Sequence, residues 1–304
     1  MAMRILTQRP LTLRTALIVT IFVFLTWVPY ADEASAKGTE CSRPGGAAIV
    51  GSRGSDRLKG TSGDDVIYGL GGDDRIQGGG GNDLLCGGAG SDRIVIGPRS
   101  DWFEATAGGG SGEDVLIALG SAWLYGNGGA DVIRGSDRAD RIEAGGGADR
   151  VSAGGGGDWI MPWLGNDVVR GGDGRDLLEM CCGTSPLMVD LAKGSVSGEG
   201  TDVISSIERV RASQRDDVII GSWRKETLQG GFGEDVIRGR GGADKIRGDD
   251  GRDRVLGGAG DDILNGFGGT DLLLGGGGSD RIDGGPHWDR CDGEEEHRCE
   301  GATA

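Results

Sequence analysis

Hydrophobic residues recur along this chain in short runs separated by glycine-rich turns. From Gly257 to Asp283 the sequence reads GGAGDDILN, GFGGTDLLL and GGGGSDRID, three nine-residue units in register. The last three positions of each unit predict a short strand, and alternation along a strand turns the residue at position eight inward. We therefore expect Ile263, Leu273 and Ile282 in the core. A fixed nonapeptide period predicts an all-β fold, a parallel β-roll (β-helix solenoid) with two units per turn.

The same unit, with interruptions, divides the chain into segments. Glycine at positions one, two and four and an acidic residue at position six keep the nine-residue spacing through three blocks. Two stretches depart from it and are interpreted as continuations of the coil rather than separate domains, because thirty residues cannot bury a core alone. The predicted segments are a signal peptide (1–36), an N-terminal cap (37–50), repeat block 1 (51–104), an irregular turn (105–125), repeat block 2 (126–179), spacer strands without a nonapeptide (180–211), repeat block 3 (212–292) and a C-terminal tail (293–304).

The repeated glycines and aspartate predict metal ligation. Glycine accepts the dihedral angles of a tight turn whose carbonyl groups face an ion, and carboxylate and carbonyl oxygens are the ligands that calcium prefers. The predicted metal ligands are Asp56, Asp65, Asp74, Asp83, Asp92, Asp114, Asp131, Asp140, Asp149, Asp158, Asp167, Asp176, Asp217, Asp235, Asp244, Asp253, Asp262, Asp271 and Asp280.

Three units depart from the consensus. Arg99 replaces a glycine before Asp101, and Glu226 lies in a loop without the usual glycines, so neither is predicted to be a strong site. Pro162 and Trp163 replace the paired glycines before Asp167, which predicts a distorted loop there.

Composition alone points toward a disordered chain, with 65 glycines and a formal net charge of −16. The period argues for order instead, and the few aromatic residues favour a thin solenoid over a thick globular core. An acidic surface excludes a nucleic-acid partner, which needs a basic patch. Calcium ions are the natural counter-charge.

The N-terminus has the pattern of an export signal. Arg4, Arg9 and Arg14 precede a mostly apolar run at 16–28, and Ala-Ser-Ala at 34–36 is a cleavage motif, so the mature chain is expected to begin at Lys37. The run is short for a membrane span of about 20 residues, so no stable span is predicted in the mature chain. An uncleaved anchor remains an alternative.

Six cysteines in an exported chain favour disulfide bonds. We hypothesise that Cys41 pairs with Cys86 and Cys291 with Cys299, which would fix the two ends of a solenoid. Adjacent Cys181 and Cys182 can bond to each other, stay reduced or pair between chains.

The units closely resemble the hemolysin-type calcium-binding repeats of the RTX family over nearly all of residues 51–292. The resemblance implies a parallel β-roll, many calcium ions, calcium-driven folding and an extracellular location. Members of that family often carry a protease, lipase or toxin domain and an uncleaved C-terminal export signal. This chain has an N-terminal signal and little sequence outside the repeats, so the resemblance supports calcium binding but not toxicity.

No catalytic residue is predicted. The sequence has no metalloprotease, serine-hydrolase or phosphate-loop motif, and its two histidines lie near the C-terminus. We expect a secreted structural, surface or adhesion module, with an extracellular surface, a glycan or a protein as partner. The alternative is an extracellular hydrolase or toxin-like protein with its site on the roll surface, around 105–125 or 180–211. Trp102 and Trp159, at position seven, are expected to face outward, either on neighbouring arginines or toward a partner.

Overall fold

A computed structural model describes residues 48–98, 105–293 and 295–299. All regular secondary structure within these ranges is β-strand, arranged in two sheets. The predicted signal peptide, most of the predicted cap, Asp101 and Trp102 lie outside the described residues.

The two sheets contain 14 and 15 strands. In stacking order the first sheet contains β1 (Ile49–Val50), β3 (Val66–Gly71), β5 (Leu84–Ala89), β7 (Ala105–Ser111), β9 (Ala122–Gly128), β11 (Arg141–Gly147), β13 (Trp159–Gly165), β15 (Leu177–Glu179), β19 (Arg209–Arg211), β21 (Thr227–Phe232), β23 (Lys245–Asp250), β25 (Ile263–Gly268), β27 (Arg281–Asp283) and β29 (Glu295–His297). The second contains β2 (Arg57–Lys59), β4 (Arg75–Gln77), β6 (Arg93–Ile96), β8 (Val115–Ala118), β10 (Val132–Arg134), β12 (Arg150–Gly156), β14 (Val168–Gly174), β18 (Thr201–Ser205), β17 (Ser195–Ser197), β16 (Met188–Asp190), β20 (Val218–Ile220), β22 (Val236–Gly241), β24 (Arg254–Ala259), β26 (Leu272–Gly277) and β28 (Arg290–Asp292).

Successive strands of one sheet lie one turn of the coil apart. Ile67 pairs in parallel with Leu85, and Ile246 with Leu264, each 18 residues along the chain. The chain therefore alternates between the sheets every nine residues. Each nonapeptide contributes one loop and one strand, and two nonapeptides make one turn of the coil. The predicted parallel β-roll is confirmed.

The irregular stretch at 105–125 changes the length of a turn but not the direction of the strands. Leu84 pairs with Thr106, 22 residues on, and Thr106 pairs with Trp123, only 17 residues on. On this side of the roll, Ala105 and Ala122 occupy the position where other turns have an acidic residue. The coil continues through two layers that have no carboxylate in that row.

The stretch at 180–211 interrupts the parallel order of the second sheet. Strand β17 pairs antiparallel with β16 on one side and with β18 on the other, and β16 then pairs in parallel with β20. A β-meander is thus inserted between two runs of the solenoid. Short hairpin connections are available only to antiparallel strands, and this exception to the parallel pattern was not predicted.

The core lies between the two sheets and consists mainly of position-eight side chains from both of them. Leu273 and Ile282 have no exposed surface, as predicted. The prediction for Ile263 is wrong, because Asp262 holds position six and Ile263 therefore holds position seven, where its side chain is 38% exposed. Leu264 holds position eight and is completely buried.

This correction gives a paired test of the packing. Leu264→Ala should lower the free energy of unfolding by about 2–5 kcal/mol, as expected when a buried leucine is truncated. Ile263→Ala, one residue away, should cost about 1 kcal/mol or less. Urea unfolding of both variants at saturating calcium measures the difference, and equal losses would contradict this assignment of the core.

Candidate metal sites

The predicted ligands lie in two rows, one along the edge of each sheet, in the turns just before the strands. Asp56 and Asp65, in the first two turns, are partly exposed, and the other 17 are buried. Burial of so many carboxylates is unusual, because an ionised carboxylate is costly to remove from water unless it is paired.

One oxygen of most of these carboxylates has a backbone partner. The amide N–H of Asp217 donates to Asp235 Oδ1 at 2.8 Å, and that of Asp235 donates to Asp253 Oδ1 at 2.9 Å. The same bond recurs from turn to turn along both rows. This hydrogen bond holds each carboxylate against the loop in the adjacent layer of the same row, most often 18 residues earlier.

The second oxygen is buried without a hydrogen-bond donor in most of the turns. Among the described residues this holds for Oδ2 of Asp74, Asp92, Asp114, Asp131, Asp149, Asp158, Asp167, Asp176, Asp235, Asp244, Asp253, Asp262, Asp271 and Asp289. A buried charged oxygen without a partner is strongly destabilising. These atoms require a cation or a proton.

The surroundings of these oxygens provide further oxygen atoms rather than donors. A Cβ added to Gly69 would lie 2.1 Å from Asp74 Oδ2 and 2.4 Å from the carbonyl oxygen of Gly87, one turn on. A carboxylate and a carbonyl thus face the same small space beside Gly69. No group of three His, Cys, Asp or Glu side chains that could hold a metal occurs in the described part of the chain. Backbone carbonyls would therefore supply most ligands, which suits a hard cation such as calcium.

The loops with an unpartnered Oδ2 share one backbone conformation, and we call them open loops. Positions two and four have positive φ in nearly all of them, as at Gly258 (118°) and Gly260 (129°) before Asp262. Position two keeps this conformation even when it is not glycine, as at Leu70 (80°) and Arg240 (74°). The loop before Asp167, predicted to be distorted, has the same conformation at Trp163 (70°) and Gly165 (153°).

A second class of loop has serine or threonine at position two, and we call these closed loops. Before Asp140, the amide and the hydroxyl of Ser136 donate to Asp140 Oδ2 at 2.6 and 3.0 Å. The amide of Arg138 donates to Ser136 Oγ at 3.1 Å. Neither position two nor position four has positive φ in these loops. The five closed loops are Ser52–Asp56, Thr61–Asp65, Ser136–Asp140, Ser213–Asp217 and Ser222–Glu226.

The pKa values of most open-loop carboxyls are raised above that of an ordinary aspartate. Burial is the main cause, neighbouring carboxylates add to it, and the backbone hydrogen bond partly offsets it. The pKa of Asp235 rises to about 8. The pKa rises to about 7 for Asp114, Asp158, Asp167, Asp244 and Asp253, and to about 6 for Asp92, Asp131 and Asp271.

Two members of these rows are not among the predicted metal ligands. Asp202 is buried, and its Oδ1 accepts the amide N–H of Asp167 at 2.9 Å. Gly198 and Gly200 before it have the positive φ of an open loop. The sequence SGEGTDVIS differs from the repeat only at position one, so the stretch at 180–211, predicted to have no nonapeptide, contains one repeat-like loop. Asp289 is the other, since its Oδ1 accepts the amide N–H of Asp271 at 2.9 Å.

Aromatic and arginine side chains alternate on the outer face of the first sheet. The guanidinium carbon of Arg141 lies 3.8 Å from the ring centre of Trp159 and 5.1 Å from that of Trp123. The three residues occupy position seven of neighbouring strands. Trp159 thus packs on a neighbouring arginine, one of the two alternatives for its outward-facing side chain.

A groove of about 800 Å³ lies beside the antiparallel insertion. Its lining includes Lys193, Arg224, Arg240 and Trp223, whose side chain is 75% exposed. Glu226 also lines it, but Ser222 donates to its carboxylate. The groove thus combines cations and an aromatic ring on an otherwise acidic chain.

The described cysteines lie in β5, just before the antiparallel insertion, and near the C-terminal end of the roll. The structure joins Cys291 to Cys299, with their Cα atoms 5.7 Å apart. Cys181 and Cys182 are not in a disulfide, and their Sγ atoms lie 2.7 Å apart. Cys41 lies outside the described residues, so its pairing with Cys86 stays a prediction.

Comparison with known families identifies the repeats. The RTX calcium-binding nonapeptide repeat family matches residues 50–85, 60–94, 125–160, 164–179, 220–255, 229–264, 247–282 and 265–297, together more than half of the chain. The chain belongs to this family. The loops of Asp114, Asp202 and Asp217 lie outside the matched segments. A search of curated proteins finds no match.

Membership in the RTX family agrees with the geometry of the open loops. Repeats of this family bind calcium, and the unpartnered oxygens of this chain lie where such repeats place their acidic residue. The part of the chain that the structure describes contains no helix long and apolar enough to cross a membrane.

Proposed function

We propose that this protein is a secreted calcium-binding β-roll whose folding is coupled to calcium, and that it serves as a structural, surface or adhesion module. The observation that carries this proposal is the double row of buried carboxylate oxygens without hydrogen-bond donors. When bound, calcium supplies a positive charge shared between a carboxylate and the facing carbonyls.

Energetics support the coupling of folding to calcium. Removing one partner from a buried ion pair costs about 3–5 kcal/mol, and a whole domain is stable by only about 5–15 kcal/mol. A few unneutralised aspartates therefore outweigh the stability of the fold at neutral pH. In the unfolded chain the same carboxylates are solvated, so the binding free energy of calcium becomes folding free energy.

A calcium titration followed by far-ultraviolet circular dichroism tests this coupling. From chelator to about 10 mM calcium, a range that spans weak extracellular sites, β-sheet signal should appear cooperatively. Magnesium should not replace calcium, because it demands compact octahedral geometry and retains its water ligands. A chain that is fully folded in chelator at neutral pH and indifferent to calcium would contradict the proposal.

Export is supported by the N-terminal sequence and by the chemistry of the sites. Calcium is abundant outside cells, where weak sites fill, so a chain exported unfolded would fold after release. N-terminal sequencing of protein from the culture medium tests the cleavage before Lys37. Non-reducing peptide mapping of the same sample tests the pairs Cys41–Cys86 and Cys291–Cys299.

The groove beside the antiparallel insertion favours a second candidate, an active or binding site on the roll surface. Its cations and Trp223 suit an anionic glycan or an acidic protein segment. Its acidic residues are engaged elsewhere, since Glu208 accepts the amide N–H of Asp176 at 3.1 Å and Glu226 is held by Ser222. Binding fits this groove better than acid–base hydrolysis. Product release from an acidic oligosaccharide would indicate a hydrolase, whereas Trp223 quenching without product would indicate binding alone.

A further inference from the structure

The two classes of loop occupy different places along the rows. Four of the five closed loops, those of Asp56, Asp140, Asp217 and Glu226, are followed 18 residues later by an open loop, that of Asp74, Asp158, Asp235 and Asp244 respectively. In the layer before Asp140 the corresponding residue is Ala122, whose amide donates to Asp140 Oδ1 at 2.7 Å. In the layer before Asp217 it is Leu187, which makes the same bond at 2.7 Å.

The closed loop of Glu226 likewise lies between a layer without a nonapeptide loop and a layer with an open loop. Glu226 comes after the layer of Glu208, whose loop does not have the nonapeptide glycines, and before the open loop of Asp244. The remaining two closed loops, at Asp56 and Asp65, are the first described loops of their rows. Closed loops therefore stand at the beginning of each run of open loops.

We propose that the residue at position two decides which loops take calcium, and that the five loops with serine or threonine there are closed to it. This inference rests on the proposed calcium-binding function and assigns its sites. In a closed loop the hydroxyl and the amide of position two occupy the carboxylate oxygen that an open loop leaves without a partner. The closed loops thus cap the runs of calcium sites without binding calcium themselves.

The chemistry of the two loops explains why they exclude each other. Positive φ at position two turns its amide away from the carboxylate in open loops, whereas in closed loops this amide donates to the carboxylate at 2.5–3.1 Å. Hydrogen bonds to a charged group are stronger than those between neutral groups, so a closed loop satisfies its carboxylate with protein donors alone. A calcium ion would have to displace both the amide and the hydroxyl of position two from the carboxylate oxygen.

Position four reinforces this assignment. Open loops have positive φ there, as at Gly147 (154°) and Gly174 (142°), which favours glycine. Three closed loops have arginine at position four, namely Arg138, Arg215 and Arg224, and its amide donates to the serine Oγ at 3.1 Å in each. A loop with serine at position two and arginine at position four is thus built for the closed form. On the same argument, the loop of Asp202, with glycine at both positions, is assigned to calcium although it lies outside the matched repeats.

Exchanging the two sequences between loops tests the proposal. The full chain, as the mature protein, is compared with a variant carrying Ser136→Gly and Arg138→Gly, which gives the Asp140 loop an open sequence. A second variant carries Gly258→Ser and Gly260→Arg, which gives the Asp262 loop a closed sequence. Bound ions are counted by native mass spectrometry at saturating calcium, and circular dichroism monitors the fold.

The first variant should bind at least one calcium ion more than the parent, and the second at least one fewer. Arg138→Gly alone is the matched control and should leave the count unchanged, because Ser136 still holds Asp140. An unchanged count in the first variant, or loss of its fold at saturating calcium, would overturn the proposal, as would an unchanged count in a folded second variant. If the second variant does not fold, the calcium count of the first variant tests the proposal alone. A parent that binds no calcium would instead overturn the proposed function itself.

Discussion

Acidification of the calcium-free chain is expected to increase its β-sheet content. In chelator at pH 8 most of the open-loop aspartates are ionised, and their buried oxygens have neither donor nor cation. As the pH falls, protonation removes these charges and turns each carboxyl into a donor that can bond to the carbonyl facing it. A proton thus neutralises the buried carboxylate in acid, as calcium is proposed to do at neutral pH.

The direction in which stability changes with pH follows from the direction of the pKa shifts. The folded-state pKa of Asp235 is about 8 and that of Asp253 about 7, both above the value of 3.8 for an unperturbed aspartate. The folded state therefore binds more protons than the unfolded state between pH 4 and pH 8. The stabilisation by protons is fully present below pH 4 and is lost as the pH rises through 6 to 8.

Circular dichroism of the calcium-free chain from pH 8 to pH 4 measures this effect. General relief of the −16 net charge is a competing cause, and 1 M salt at pH 8 separates the two, because it shortens the Debye length to about 3 Å without protonating any carboxyl. Folding in acid but not in salt is the expected result. A calcium-free chain that loses β-sheet content on acidification to pH 4 would contradict the assignment of raised pKa values.

The sequence predicted the fold because one period governs both the turns and the strands. A unit of nine residues with one apolar position contributes one core residue, and two units close one turn of the solenoid, as in the pairing of Ile246 with Leu264. The error at Ile263 came from placing the unit one residue out of register, since adjacent apolar residues make position seven look like position eight. The acidic residue at position six is the better reference for this count.

The antiparallel insertion was harder to predict. Its strands β16 and β17 are three residues each, and a run such as Met188–Asp190 looks the same in parallel and antiparallel pairing. The direction is set by the short turn after Asp190, where the amides of Lys193 and Gly194 bond back to Asp190. Such local hydrogen bonds are visible only once the backbone is known.

The aspartates were found by their spacing, but spacing could not separate open from closed loops. Glycine content does not separate them either, because Arg240 and Phe267 have the left-handed conformation in open loops, whereas Gly54 and Gly63 do not have it in closed loops. What distinguishes the loops is the hydroxyl four residues before the carboxylate. The sequence contains that hydroxyl, yet its hydrogen bond depends on φ at position two.

Substitution of a position-four glycine in an open loop is expected to destabilise the roll severely. At Gly269, φ is 143°, and an added Cβ would lie 1.5 Å from the carbonyl oxygen of Gly251 in the preceding turn. The clash is with a backbone atom, so no side chain can move to relieve it. The carbonyl of Gly251 belongs to the loop stacked directly on the loop of Gly269. Gly269→Ala should therefore lower the free energy of unfolding by on the order of 3 kcal/mol or more, with both strain and overpacking contributing.

The same position in a closed loop provides the matched control. A Cβ added to Gly54 would have only Ser52 Oγ nearby, at 3.8 Å, and φ there is not left-handed. Gly54→Ala should change the stability by no more than about 0.5 kcal/mol. Since Gly54 lies near one end of the roll, Arg138→Ala in an internal closed loop provides a second control, and its exposed side chain predicts an equally small effect. Urea unfolding at saturating calcium compares the three variants. Equal destabilisation by all three would mean that position four is under the same constraint in every loop, which the two backbone conformations do not allow.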